Sequence, residues 1–562
     1  MLEQGRQLHI AGDLVGAAAL YNKVLSQDSL NAEACNLLGV VSLQNGDSQS
    51  AIRLIQKAIS IESGNAGFFN NLGQAFQTDG DLNQAMESYQ KGLEISSDDP
   101  DILNNMGIVY HEFGKLNQAK EVYEEALKKE ANDPEIFHNF GILLHAMGKL
   151  DQAQQAFNAA LSLEPRMAES HLSLGSVFFD QGNKEAAIQA YMTAIEHNPL
   201  YVESHEALKL LFWDMGQIER MDESYFHACK LMSQSTDAHS NLGKALIFSK
   251  RLDEAETALN QALTLDPENA EAHSQLGIVY AKRKQYDDAV VQHNEAIRID
   301  QGNPFYYEEL GNTLSQAGDF AQAVEIFIKA HDLHPRRSSI LGSLTIAMRE
   351  TDDARVNEIL DIDEYVTSRF LDVPDGFDDI EMFNEALHAE LEAMHTDHPE
   401  PPGQTMTGGT QIPGSLFTYP TELTAVLKEQ ISKALSDYIG SLNADPDHPF
   451  LRYLNPDFRF TGAWSTILHG TGYDSSHIHN EGWISGVYYI KVPDLPKQRW
   501  EEGEGCIQFG APPPKFVSGR NKTQQLIRPI PGMAVFFPSY YWHGVQPYNM
   551  DAIRHSMSFD IL

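Results

Sequence analysis

The run His477-Ile-His479-Asn-Glu-Gly-Trp-Ile-Ser-Gly-Val-Tyr-Tyr-Ile490 carries two imidazoles two residues apart, leading into a strand-like apolar stretch. Imidazole suits first-row transition metals, so an HxH pair opening onto a strand has the form of part of a metal site. On its own the pair says little, since 22 histidines in 562 residues give about one by chance. Order makes the signal specific. FFPSYYWHGVQPY places His543 at the end of a second apolar strand, and eleven residues later Arg554 opens a third, RHSMSFDI. Ser556 follows two residues on, on the same strand face as Arg554. His469, His555, His138, His171 and His239 lack convergent spacing and read as structural or exposed. Cys506 reads as a barrel-wall residue, and Trp464, Tyr473 and Trp483 as pocket or core.

The elements that must position these groups are short strands with turn signals: FRFTGAWSTIL, GWISGVYYIKV, CIQFG, QLIRPI, MAVFFP and RHSMSFDIL. Many such strands after one amphipathic helix (ELTAVLKEQISKALSDYIGSL, 422–442) predict a compact all-β barrel or sandwich. FNEALHAELEAMH (383–395) has helical periodicity, whereas HPEPPGQTMTGGTQIPGS (398–415) cannot form a long helix. The acidic stretch 349–380 reads as helices and connections.

The first 337 residues follow a different rule. Gly5, Gly39, Gly73, Gly107, Gly141, Gly175, Gly243, Gly277 and Gly311 lie on one 34-residue ruler, with an alanine twelve residues after each. Another small residue recurs seven positions later, as at Ala126 and Ala160. Small residues at these offsets let two antiparallel helices approach closely, and such units must stack to bury their apolar faces. Residues 202–235 break the ruler, with Lys209 in the glycine place and Met221 in the alanine place. Bulk there predicts a local change in superhelix pitch, or a tolerated degenerate repeat.

Net charge of −39 and a pI near 4.8 exclude binding to nucleic acid or an anionic membrane surface. Three widely spaced cysteines exclude a disulfide framework and point to a reducing compartment. No apolar run approaches a membrane span, and MLEQGRQLHIAGDL lacks the plan of a signal peptide, so a soluble cytoplasmic protein is expected.

Residues 1–337 resemble about ten tetratricopeptide repeats. Two residues before the ruler glycine stand Asn71, Asn105, Asn139 and Asn241, with Asn70 and Asn104 one residue earlier. A carboxamide both donates and accepts, so a row of them could grip an extended protein or peptide whatever its sequence. The row resembles the asparagine ladder of protein O-GlcNAc transferases. Alternatively, each Asn bonds a neighbouring helix.

The C-terminal segment is similar to the Fe(II)/2-oxoglutarate-dependent oxygenases, and within them to a group carrying HxH followed by SGVYY. The resemblance implies a double-stranded β-helix (jelly-roll) over 381–562, after a helical linker at 338–380. It implies Fe(II) on His477 and His543, with 2-oxoglutarate as co-substrate, and assigns Arg554 to the co-substrate carboxylate, where a bidentate guanidinium suits the task better than Lys. Ser556 and Tyr489 would contact the co-substrate beside it. Where the family has a carboxylate ligand, this chain has His479. Three ligand sets follow: three histidines, a carboxylate from Glu481, or two histidines with an open third place. The activity implied is hydroxylation of a protein or peptide held by the repeats. Two other readings are an interaction scaffold with a degenerate barrel and a three-histidine dioxygenase that does not use 2-oxoglutarate.

Overall fold

The computed structural model describes residues 1–395, 405–412, 414, 416–418, 420–480, 482–513, 516, 520, 525–550 and 552–562. They form two compact units, Met1–Leu211 and Phe212–Leu562. No helix among them is long and apolar enough to cross a membrane.

The first unit is a stack of helix pairs on the 34-residue ruler, from Leu2–Ile10 with Leu14–Gln27 to Ala168–Asp180 with Lys184–His197. Capping carboxylates set where the second helices begin: Asp13, Asp47 and Asp81 accept from the amides of Gly16, Ser50 and Gln84. The ruler glycines are required by close packing. A Cβ on Gly73 would lie 2.3 Å from the Tyr89 ring, and one on Gly141 2.7 Å from Phe157. An aromatic of the second helix, or Ile55 in the pair at Gly39, therefore lies against the bare backbone of the first. The asparagine row bonds along the stack: Asn71 donates to Asn36 Oδ1 at 3.0 Å, Asn105 to Asn70 at 2.9 Å and Asn139 to Asn104 at 3.1 Å.

The second unit begins inside the irregular repeat. Its second helix is reduced to Glu223–Leu231, preceded by a 3-10 turn at Ile218–Arg220, where regular repeats have fourteen residues, as in Leu252–Leu265. Met221, in the place of the packing alanine, is buried at the junction of turn and helix. Regular pairs resume from Thr236–Phe248 to Phe320–Leu333. A further helix, Ser338–Glu350, packs on the last pair. Every side chain from Ser338 to Met348 is buried, because this helix also lies against the β-domain. Trp542 Nε1 donates to Gly342 O (3.0 Å), Ser338 Oγ to Gly482 O (3.0 Å) and Arg349 to Gly510 O (2.9 Å).

The β-domain has strands β1 (Thr367–Phe370), β2 (Met406–Ile412), β3 (Phe460–Asp474), β4 (Ile484–Lys491), β5 (Ile507–Phe509), β6 (Gln525–Ile527), β7 (Met533–Pro538), β8 (His543–Val545) and β9 (Ile553–Ile561). They form two antiparallel sheets, β1-β7-β4-β9-β3-β2 and β6-β5-β8, a jelly-roll arrangement in which β4 and β9 are central. Helices Ile380–Glu392 and Glu422–Ser441 bury Phe383, Leu387, Leu427, Ile431 and Leu435 in the same core as the large sheet. Two expectations are corrected. Thr367–Phe370, within the stretch read as helices and connections, is an edge strand paired with β7. His543 does not end the MAVFFP strand: that strand stops at Pro538, a turn closes with Tyr541 N on Pro538 O (2.9 Å), and His543 begins β8 in the other sheet.

Candidate metal centre

His477 and His543 face each other across an antiparallel bridge, each backbone N–H donating to the other's carbonyl at 2.9 and 3.0 Å. His479 is held next to them by its N–H on Ser539 O (3.1 Å). The three imidazoles each offer one nitrogen, and these nitrogens lie within 4.8 Å of one another.

What turns them inward is the bonding of the other nitrogens. His477 Nδ1 lies 2.8 Å from Ser475 O, and His543 Nδ1 lies 2.9 Å from Tyr541 O. His479 Nδ1 lies 2.6 Å from Asp560 Oδ1. A carbonyl or carboxylate only accepts, so each Nδ1 carries the proton and each Nε2 keeps its lone pair. His477 Nε2 and His479 Nε2 are then two unprotonated nitrogens 3.1 Å apart, a repulsive pair unless a cation lies between them. Burial holds His477 and His543 below the usual imidazole range, and for His543 the two neighbouring rings add to the effect. Both stay neutral and able to ligate at neutral pH. The donor set fits a divalent transition metal.

Strand β9 builds the rest of the site by its period of two. Arg554, Ser556 and Ser558 line the cavity in front of the histidines, with Trp464, Thr466 and Leu468 from β3 opposite. Arg554 is 2% exposed, its Nε has no hydrogen-bond partner, and it has no ion pair among the described residues. A buried guanidinium without a counter-charge is costly, and it suits an anionic ligand that brings one. Tyr489 lies behind it rather than in the cavity lining, with the guanidinium 5.2 Å from the ring centroid. Trp464 stands 5.2 Å, ring to ring, from His479, whereas Trp483 is core against Phe450 and Tyr453.

The structure brings His477, His479, His543, Arg554 and Ser556 to one cavity, whereas Tyr489, expected to contact the co-substrate, stands behind Arg554 and outside the lining. Glu481 lies outside the described residues. Three contributors were not anticipated. Asp560 and Ser485 hold His479, and helix Ser338–Glu350 braces the segments that carry the three histidines. Ile478, between His477 and His479, packs with Trp542, next to His543, against Ile346 of that helix.

The opposite face of β9 carries a separate polar chain. His388 and His555 meet through their Nδ1 atoms at 2.8 Å, His555 Nε2 contacts Ser465 Oγ at 2.7 Å, and Ser465 Oγ contacts His395 Nε2 at 2.9 Å. This chain ties helix Ile380–Glu392 to the sheet. His555 is therefore structural, as expected.

Residues 462–560 match the family model described as "Putative 2OG-Fe(II) oxygenase". Models described as tetratricopeptide or TPR repeats match residues 2–67, 78–114, 100–132 and 122–155. The chain joins tetratricopeptide repeats to a domain of this oxygenase family. A model described as the C-terminal domain of cilia and flagella-associated protein 70 matches residues 167–359. Among solved structures, YrrB, titled a TPR protein with an unusual peptide-binding site, is 21% identical over 34% of this chain and 99% of its own (TM-score 0.27). TTC0263 from Thermus thermophilus is 22% identical over 32% and 97% (TM-score 0.30). Yeast Tom70 is 14% identical over 70% and 93% (TM-score 0.33). No curated protein matches the chain.

Proposed function

We propose that this protein is an Fe(II)- and 2-oxoglutarate-dependent dioxygenase that hydroxylates a protein or peptide bound by its repeats. The observation that carries this reading is one cavity lined both by three imidazoles whose ligand nitrogens lie within 4.8 Å of one another and by a buried Arg554 with no ion pair among the described residues. His477, His479 and His543 would hold the iron. Held there, iron would supply the redox chemistry that couples 2-oxoglutarate and O2 to oxidation of a substrate C–H.

The chain's own residues do the rest. Backbone carbonyls of Ser475 and Tyr541 keep two Nδ1 protons in place, so the ligand tautomer is set before metal arrives. Arg554 offers a planar fork to a carboxylate, and Ser556 a hydroxyl on the same face. Trp464 and Phe537 give the cavity apolar walls that would limit water around a bound anion. Along the repeats, Asn71, Asn105 and Asn139 each spend one amide hydrogen on the neighbouring repeat, which orders the row. With Asn241 they are the candidate contacts to a substrate backbone. Buried thiols at Cys35, Cys229 and Cys506 support a reducing, cytoplasmic setting.

The test is succinate release from iron-loaded protein supplied with 2-oxoglutarate and O2. Release by the wild type and its loss in Arg554→Ala and His543→Ala would support the assignment. Iron binding with no succinate above the Arg554→Ala level would overturn it in favour of a dioxygenase that does not use 2-oxoglutarate.

A further inference from the structure

Resting on the reading that the three histidines take a metal, we propose that Asp560 is the centre's displaced carboxylate. It supplies through the His479 ring the negative charge that a directly coordinating carboxylate would bring, and it fixes the tautomer of that ring.

Charge arithmetic gives the reason. A divalent metal on two imidazoles and one carboxylate leaves a net charge of about +1, whereas three neutral imidazoles leave about +2. A buried excess charge of this kind is costly unless a counter-charge lies close by. Asp560 is that counter-charge. It is 7% exposed, and its Oδ1 lies 2.6 Å from His479 Nδ1. The carboxylate has moved outward by one imidazole ring, along a path that polarises the ring toward the metal.

The surroundings are built for this contact. Ser485 Oγ donates to Asp560 Oδ1 at 2.6 Å from the paired position on β4, and lies 2.8 Å from Ser539 Oγ and 3.0 Å from His479 Nδ1. One hydroxyl thus holds both the acid and the ring. Gly482 makes room: a Cβ there would lie 2.9 Å from the Asp560 Cβ and 2.7 Å from Ser539 Oγ. Asp560 also continues the row Arg554, Ser556, Ser558 on β9, so one strand carries both the candidate anion clamp and the counter-charge. Among the described residues no carboxylate hydrogen-bonds the other two imidazoles: His543 Nδ1 meets a neutral carbonyl, and Asp474 Oδ1, which lines the same cavity, stands 3.6 Å from His477 Nδ1 and adds negative charge there without fixing the ring.

Asp560 is a positioning residue, and its charge and its geometry are separable. Asp560→Asn can still accept from His479 Nδ1 through its amide oxygen but carries no charge, whereas Asp560→Ala loses both. Mn(II) binding by calorimetry and anaerobic 2-oxoglutarate binding to the Mn(II)-loaded protein provide two readouts that should move in opposite directions. In Asp560→Asn, Mn(II) affinity should fall about 10- to 100-fold. The dianion should bind the Mn(II)-saturated variant more tightly than it binds the wild type, because the centre is more positive. Asp560→Ala should weaken Mn(II) further, since the ring is also released. Unchanged Mn(II) affinity in Asp560→Asn, or parallel loss of Mn(II) and 2-oxoglutarate together with a lowered Tm of the metal-free protein, would overturn the inference. A folded wild type that takes up no Mn(II) would instead overturn the three-histidine reading beneath it.

Discussion

Replacing Arg554 by Met separates a binding role for this residue from a structural one, because the two give opposite signs in the metal-free and ligand-bound states. In the metal-free protein Arg554 is a buried cation with no ion pair among the described residues. Removing an unpaired buried charge for an apolar chain of similar length should leave stability unchanged or raise it. With 2-oxoglutarate bound, the same change removes one partner of a desolvated charge pair, worth about 2–5 kcal/mol, or about 30- to 5,000-fold in Kd. At 100 times its Kd, the co-substrate stabilises the wild type by about 2.7 kcal/mol; a 30-fold weaker variant gains only about 0.9 kcal/mol. For a unit of this size that corresponds to a rise in Tm of about 4 °C falling to about 1 °C. Thermal melting of Mn(II)-loaded protein without O2, with and without 2-oxoglutarate, reads both effects. An unchanged co-substrate-dependent rise, or a metal-free variant more than about 2 kcal/mol less stable than the wild type, would refute the reasoning.

Gly342→Val should disturb the centre from outside it. A Cβ at 342 would meet Tyr540 O at 2.9 Å and Ile478 at 3.2 Å, so about 1–3 kcal/mol of stability should be lost and Mn(II) affinity should fall; unchanged affinity would show that the brace does not reach the ligands. His293 takes the aromatic place opposite Gly277, is fully buried with neither ring nitrogen bonded, and burial pushes it down to about 4 from an ordinary 6.5. A depressed value means the unfolded chain binds the proton first, so the stability is present above about pH 6.5 and is lost as pH falls through about 4, on the order of 3 kcal/mol in all. His293→Phe should therefore stabilise the second unit and reduce its acid sensitivity over that window, as seen by denaturant melts at pH 7 and pH 5; equal losses at pH 5 in both proteins would contradict this. Asn105→Ala should cost about 0.5–1.5 kcal/mol through its bond to Asn70. Replacing Asn71, Asn105 and Asn139 together should also abolish capture of extended peptides, and capture that persists would leave the row a purely structural ladder.

The repeats were legible because one packing contact imposes one spacing: an aromatic or aliphatic side chain of the second helix needs a glycine opposite, and that need recurs every 34 residues. The same ruler exposed Lys209 and Met221, and the irregular repeat does have a shortened second helix. His477, His479, His543 and Arg554 were legible because ligands at strand ends keep their order along the chain. Asp560 was not, since its partner His479 is 81 residues away and no short motif links them. The available signal was strand parity, which puts position 560 on the face of 554 and 556. The bracing role of Ser338–Glu350 was also missed, although SSILGSLTIAM lacks a polar face and such a helix is buried on all sides. The start of β8 depended on a turn after Pro538, which apolar periodicity alone does not reveal.

A crystal structure of the protein grown without O2 in the presence of Mn(II) and 2-oxoglutarate tests the central claim most directly. The account predicts one metal bonded to the Nε2 atoms of His477, His479 and His543, with a 2-oxoglutarate carboxylate on Arg554. A metal ligated by Glu481 in place of His479, or a co-substrate that leaves Arg554 uncontacted, would contradict it.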